Sequence, residues 1–246
     1  MRNFFEINRN QTIQYGMLEL TPYAIIDDFF SNPDDVITLL HHVAPNFHKE
    51  SGKSNTSLNQ YTVPDGQLEE DRSHIKNYNG EMFKDMRHEF YSDMILPAYE
   101  HIFHILKYMG IHQIPMDRRA VLSNCFTFKK NPFNDFENNY WWPHRDHGYS
   151  ALVYLNHNDN TGTNVYECIE EDIEADVREH EQPWRPKERY KKIMNFEPAF
   201  NRCILFDAGK YHHGMHVENW RFEDTPENDT RMNVGFFFHP APKKSK

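Results

Sequence analysis

The chain is short of cysteine, of long apolar runs and of positive charge, and each shortage removes a class of protein. Its 246 residues include only 3 cysteines, Cys125, Cys168 and Cys203. The count is odd, the spacings are wide and no Cys-x-x-Cys pair occurs. That argues against a disulfide scaffold and against a thiolate zinc site. All three fall in β-like segments and read as small buried hydrophobes. No apolar run approaches the roughly 20 residues that span a bilayer. The start, Met1-Arg2-Asn3-Phe4-Phe5-Glu6, meets charge too early for a secretory signal, so a cytoplasmic location is expected. Lys and Arg number 27 against 37 Asp and Glu, a net charge of −10. Such a balance argues against nonspecific nucleic-acid binding. His-Glu-x-x-His is also missing, which disfavours metalloprotease chemistry.

What the chain does have is 15% aromatic residues and 16 histidines. The aromatics carry enough apolar area for a real core, and the length suits one domain spanning 1–246. Residues 20–115 read as an N-terminal strand with supporting helices, and 116–240 as a β-rich core. Tyr23–Phe30 is a short apolar strand running into a turn. Ser31-Asn32-Pro33-Asp34-Asp35 then opens a helix, with proline in the first turn and acids at the positive dipole end. Val36, Leu39, Leu40 and Val43 form its apolar face, and Pro45 stops it. Residues 47–79 are polar and read as a surface excursion. The stretch 81–109 reads as helical: Met82, Phe83, Met86, Phe90 and Met94 make one stripe, and Tyr99, Ile102, Phe103, Leu106 and Met109 a second, divided at Pro97. Core packing accounts for the methionines.

After Pro115 the texture changes to short β-like runs: 120–128, 149–156, 163–168, 202–206, 211–217 and 231–238. Short strands separated by turns suggest an antiparallel sandwich or barrel. A charged insertion, 167–192, interrupts them. Its first part holds eight acids (Glu167, Glu170, Glu171, Asp172, Glu174, Asp176, Glu179 and Glu181), and its end five bases, from Arg185 to Lys192. A solvated helix and loop is the default reading of it, and a movable lid the sharper one.

The chemistry concentrates at Trp141-Trp142-Pro143-His144-Arg145-Asp146. Residues i and i+2 of an extended chain share a face, so His144 and Asp146 can project together while Arg145 points away. An imidazole and a carboxylate are two thirds of the triad that holds non-haem Fe(II) with open positions. His-x-Asp alone is a weak signal in a histidine-rich chain, and His157-Asn158-Asp159 repeats it in what reads as a polar turn. The tryptophans, the proline and the apolar strand that follows favour His144 and Asp146. A third ligand must come from far along the chain, and His212, His213 and His216 compete for that place. In an extended segment His212, Gly214 and His216 share one face. A glycine beside a ligand leaves room for a small molecule, which favours His212, with His213 as the rival. Arg231 opens an alternating strand, either as a surface charge or as an inward group that binds a carboxylate through two parallel hydrogen bonds.

The order His144-x-Asp146, distal His, Arg231 resembles the 2-oxoglutarate/Fe(II)-dependent dioxygenases, in particular their prolyl 4-hydroxylase-like branch. Tyr23–Phe30 with its Pro-Asp helix is similar to that branch's opening. Ala151–Asn156 followed by Gly162–Tyr166, and Asn201–Ala208 leading to Tyr211-His212, resemble its core strands. The chain departs in having Thr161-Gly162 for a Gly-Gly pair, in the His212-His213 doublet, and in the long charged connection. The resemblance implies a mainly β fold with flanking α elements, a double-stranded β-helix (jelly-roll) core supported by N-terminal helices. It implies Fe(II) on His144, Asp146 and His212, and 2-oxoglutarate anchored by Arg231. It also implies hydroxylation of a C–H bond with release of succinate and CO₂. The partners would be 2-oxoglutarate, O₂, and a protein side chain (prolyl or another) or a small metabolite. Two alternatives stand beside it. One is a cupin-like metal enzyme without 2-oxoglutarate, though no His-x-His pair occurs; the other is a non-enzymatic jelly-roll protein with incidental histidines.

Overall fold

The computed structural model describes residues 4–42, 83–90, 95–112, 120–128, 137–156, 162–169, 184–216 and 232–238. Strands dominate. They are β1 (Thr12–Leu18), β2 (Thr21–Asp27), β3 (Phe83–Phe90), β4 (Ala120–Phe128), β5 (Asn139–Trp141) and β6 (Tyr149–Tyr154). There follow β7 (Thr163–Cys168), β8 (Trp184–Pro186), β9 (Tyr190–Phe196), β10 (Cys203–Asp207), β11 (His212–Met215) and β12 (Met232–Phe238). Among the described residues two helices accompany them, α1 (Pro33–His42) and α2 (Leu96–Tyr108).

The strands form a large sheet in the order β1-β2-β10-β6-β12-β4-β3, a small sheet β11-β7-β9, and a ribbon β5-β8. From β6 onward the chain passes back and forth between the sheets: β6 in the large one, β7 and β9 in the small, β10 large, β11 small, β12 large. Side chains of alternate parity on β6 and β10 serve two cores, as period-two geometry requires. Ala151, Val153, Cys203 and Leu205 join Val234, Phe236 and Phe238 of β12 in a cluster completed by Ala98, Tyr99, Ile102 and Leu106 of α2. Tyr154, Ile204 and Phe206 face the other way and pack with Val165 and Phe196 of the small sheet. The result is a β-rich sandwich with α2 on the outer face of its large sheet.

Aromatic contacts fix α2 in place. The Tyr99 ring meets those of Phe236 and Phe238 at centroid distances of 5.3 and 5.0 Å. Full burial of side chains of this size contributes about 1.5–3 kcal/mol each. A second tie joins β2 to β10. Asn201, at φ 60°, accepts from the Phe30 amide and donates to its carbonyl, both at 2.9 Å. Arg202 pairs with Asp27 at 2.6 Å.

The β-like runs at 120–128, 149–156, 163–168, 202–206, 211–217 and 231–238 correspond to β4, β6, β7, β10, β11 and β12. The expected helix over 81–109 does not. Of its described residues only Leu96–Tyr108 form a helix, and Phe83–Phe90 is a strand paired with β4. The spacing of Phe83, Met86 and Phe90 suits a helix, but pairing to β4 supplies a full ladder and outweighs so weak a preference. The register of that ladder shifts between Lys84 and Met86, which also breaks the period-two pattern. The charged insertion is corrected at its C-terminal end: Trp184–Pro186 and Tyr190–Phe196 are strands, with a 3₁₀ turn, Lys187–Arg189, between them. Its 170–183 portion, residues 47–79, the Asp159 motif and Arg231 lie outside the described residues. Among the described residues no helix is long and apolar enough to cross a membrane. Cys203 is buried, and desolvation pushes its thiol pKa up, as suits a small hydrophobe.

Candidate metal centre

β5 carries the chain across the face of β11 and on to His144. There a two-hydrogen-bond bridge forms, with the His144 amide donating to the His213 carbonyl at 3.0 Å and the His213 amide donating back at 2.8 Å. Residues paired this way project to the same side. The two imidazole rings accordingly lie 4.3 Å apart, centroid to centroid. Asp146 is placed by its own amide, which donates to the Ala208 carbonyl at 2.9 Å just beyond β10. One oxygen of its carboxylate is 4.0 Å from His144 Nε2, and the other 3.5 Å from His213 Nε2. Ligand atoms of His144, Asp146 and His213 all lie within 4.8 Å of one another. The three residues form a His-Asp-His cluster that can hold a metal ion.

Hydrogen bonds prepare this cluster. His144 Nδ1 lies 2.8 Å from the Trp142 carbonyl oxygen. A carbonyl only accepts, so Nδ1 carries the proton and Nε2 turns its lone pair toward Asp146. Ser150 Oγ donates to Asp146 Oδ2 at 2.8 Å. Burial alone would raise the Asp146 pKa. The hydrogen bond of His213, the charge that His213 and His144 carry when protonated, and the Ser150 hydroxyl outweigh it and hold the carboxyl well below the usual range. His213 is buried, with the Phe206 ring 5.2 Å away, and its Nδ1 has no hydrogen-bond partner among the described residues. Trp142 stands edge-on to the His144 ring at 6.4 Å, and its backbone sits in the left-handed region at φ 46°. Such a conformation costs about 1–3 kcal/mol in a non-glycine residue and clusters at functional sites.

His212 is not in the cluster. It lies opposite Tyr166 in the β11–β7 register, and its ring is 5.5 Å from that of Tyr190. The cluster takes its second imidazole from His213 because His213, not His212, opposes His144. Gly214 does not leave space for a ligand beside His212. That space holds protein: a Cβ on Gly214 would overlap the Trp141 carbonyl oxygen and lie 3.1 Å from that of Trp142. His216, on the same face, meets the Asn195 side-chain amide through Nδ1 at 2.8 Å. The Tyr140 ring meets that of Tyr166 at 4.4 Å in a tilted contact, and Trp141 is buried. Ser150 escaped the sequence reading; its only signal is a hydroxyl four positions after Asp146 at the start of an apolar strand.

In chemical terms the donor set fits Fe(II). Two neutral imidazoles and one carboxylate suit that ion and leave further positions free. The carboxylate is already ionised and one imidazole tautomer already fixed.

No protein-family model matches the chain, and no curated protein does. Among solved structures, one similar chain is a prolyl-4-hydroxylase from Pseudomonas putida. It is 12% identical, with a TM-score of 0.35, over 65% of this chain and 74% of that one.

Proposed function

We propose that the protein is an Fe(II)- and 2-oxoglutarate-dependent dioxygenase that hydroxylates a C–H bond of a protein side chain or small metabolite. The observation that carries this reading is the convergence of His144, Asp146 and His213 from separate parts of the chain. In it, His144, Asp146 and His213 hold the iron, and Arg231 anchors the distal carboxylate of 2-oxoglutarate. The passage of β6–β12 between two sheets supports a double-stranded β-helix core around the site. Bound iron and cosubstrate supply the oxidising chemistry, with succinate and CO₂ released.

The chain's own residues do the rest. The Trp142 carbonyl keeps the proton of His144 on Nδ1 and so keeps Nε2 available. Ser150 holds one carboxylate oxygen of Asp146 and restricts its rotation. The rings of Phe206 and Trp142 border the imidazoles and limit water around them.

Anaerobic titration of metal-free protein with Fe(II), followed by succinate assay with 2-oxoglutarate and O₂, tests the reading. His213→Ala should abolish iron binding and His212→Ala should leave it intact. The reverse result would return the ligand to His212. Iron affinity unaffected by His144→Ala, Asp146→Ala and His213→Ala would refute the proposal.

A further inference from the structure

A second chemical feature lies in the β5–β8 ribbon. The ribbon pairs Asn139 with Pro186, Tyr140 with Arg185 and Trp141 with Trp184. Arg185 is only 4% exposed. Its Nε and Nη2 are fully enclosed and have no hydrogen-bond partner among the described residues, and no ion pair to Arg185 occurs among them. A guanidinium cannot shed its proton at any accessible pH, so this charge cannot be relieved by neutralisation. A buried, unpaired charge is among the most destabilising arrangements a fold can hold, and one that persists calls for an anion.

The identity of the two nitrogens says which anion. Nε–H and Nη2–H lie along one edge of the planar guanidinium and point the same way. That edge matches the two oxygens of a carboxylate in a bidentate pair. The surroundings suit an anion too. Tyr140, directly across the ribbon, lies 5.2 Å by its ring centroid from the Lys187 ammonium and also meets the Tyr166 ring. A second cation therefore stands beside the residue facing Arg185.

We infer that Arg185 is the binding group of a carboxylate site on the β5–β8 ribbon, separate from the His144–Asp146–His213 cluster. Its ligand is a free dicarboxylate or the side chain of an acidic residue in a peptide, both presenting the same two oxygens. Arg185 lies on β8, whose partner β5 leads directly into His144.

Calorimetric titration in metal-free buffer with a chelator separates this inference from the metal reading. Wild type, Arg185→Gln and Arg185→Lys are titrated with succinate, with an end-blocked peptide containing one internal glutamate, and with dimethyl succinate as an uncharged control. Wild type should bind one of the two carboxylate probes and not the diester. Arg185→Gln should bind it at least about tenfold more weakly. Arg185→Lys, which keeps the charge but loses the fork, should fall between them, so the test survives misfolding of the Gln variant. The preferred probe distinguishes a small-molecule site from an acidic-peptide site. Binding of neither probe to wild type overturns the inference. Equal binding to wild type and both variants does so as well. A large loss of melting temperature in Arg185→Gln, with no response of wild type to either carboxylate, would mean that the arginine pairs within the chain, and would also overturn it.

Discussion

Gly214→Ala tests the placement of the metal cluster without touching a ligand. A Cβ at this position would overlap the Trp141 carbonyl oxygen, lie 3.1 Å from the Trp142 carbonyl oxygen and 3.3 Å from the Trp142 carbonyl carbon. All three are backbone atoms and cannot rotate aside as a side chain would. The β5 crossing must therefore lift away from β11. Overpacking of this kind costs about 1–3 kcal/mol. For a chain of this length that corresponds to a fall in melting temperature of about 2–12 °C.

The displaced group matters more than the strain. The Trp142 carbonyl is the acceptor that fixes His144 Nδ1 at 2.8 Å. Loss of a partner that orients a ligating histidine weakens metal binding by about 10–100-fold. Gly214→Ala should show both effects, by thermal melting and by anaerobic titration with Fe(II) or Co(II). Gly110→Ala is the control. Gly110 has φ 86° and nothing within 4 Å of its Cβ position. Alanine there should cost about 1–2 kcal/mol from backbone strain alone and leave metal affinity unchanged. Wild-type metal affinity in Gly214→Ala, despite the expected fall in melting temperature, would refute the link from β11 through Trp142 to His144.

Ser150→Ala removes the hydroxyl that holds Asp146 Oδ2 at 2.8 Å. Metal affinity should fall about tenfold or more, read by the same titration, and an unchanged affinity would assign Ser150 to packing alone. A different histidine governs part of the pH dependence of stability. His101 on α2 lies 2.7 Å from Gln11 Oε1, an amide oxygen that only accepts, so its Nε2 carries the proton and donates. Burial, then the charge of His104, lowers its pKa from the ordinary 6.5. Above that value both folded and unfolded chains hold it neutral and it costs nothing. As pH falls through 6.5 the unfolded chain takes up the proton first, so stability declines until the pH reaches the lower folded pKa. His101→Gln should flatten denaturant-measured stability across that window, and a slope equal to wild type would exclude His101 as its source.

The elements that were legible are those dense in buried apolar side chains. β6 and β10 are apolar on both faces because each lies between two cores, and β12 turns Met232, Val234, Phe236 and Phe238 to the α2-side core. β1 left no comparable trace. It is an edge strand with four of its seven residues exposed, Tyr15 and Met17 among them, so no parity is enforced. β9 was hidden by charge: Lys191 and Lys192 are exposed, and the strand reads as part of a solvated insertion until its pairing with β7 is known. β3 was hidden by an irregular register. Arg185 was visible only as one base among five, because composition cannot distinguish a buried guanidinium from its solvated neighbours.

At the site, the local half of the cluster was readable and the remote half was not, for a reason that lies in register. His144 and Asp146 are two positions apart, and their shared orientation follows from one extended segment. The third ligand depends on which residue of β11 opposes His144. A shift of one position exchanges His212 for His213 and turns every side chain of β11 over. Gly214 was the one local clue to parity, and it admits two opposite readings. A glycine can leave room for a ligand, which would favour His212, or for crossing backbone, which puts His213 beside His144 and Asp146. The Trp141–Trp142 segment takes that room. Trp142 adopts φ 46° in doing so, and the same residue supplies the carbonyl that orients His144. One crossing therefore sets the parity of β11, selects His213 and fixes the tautomer of His144.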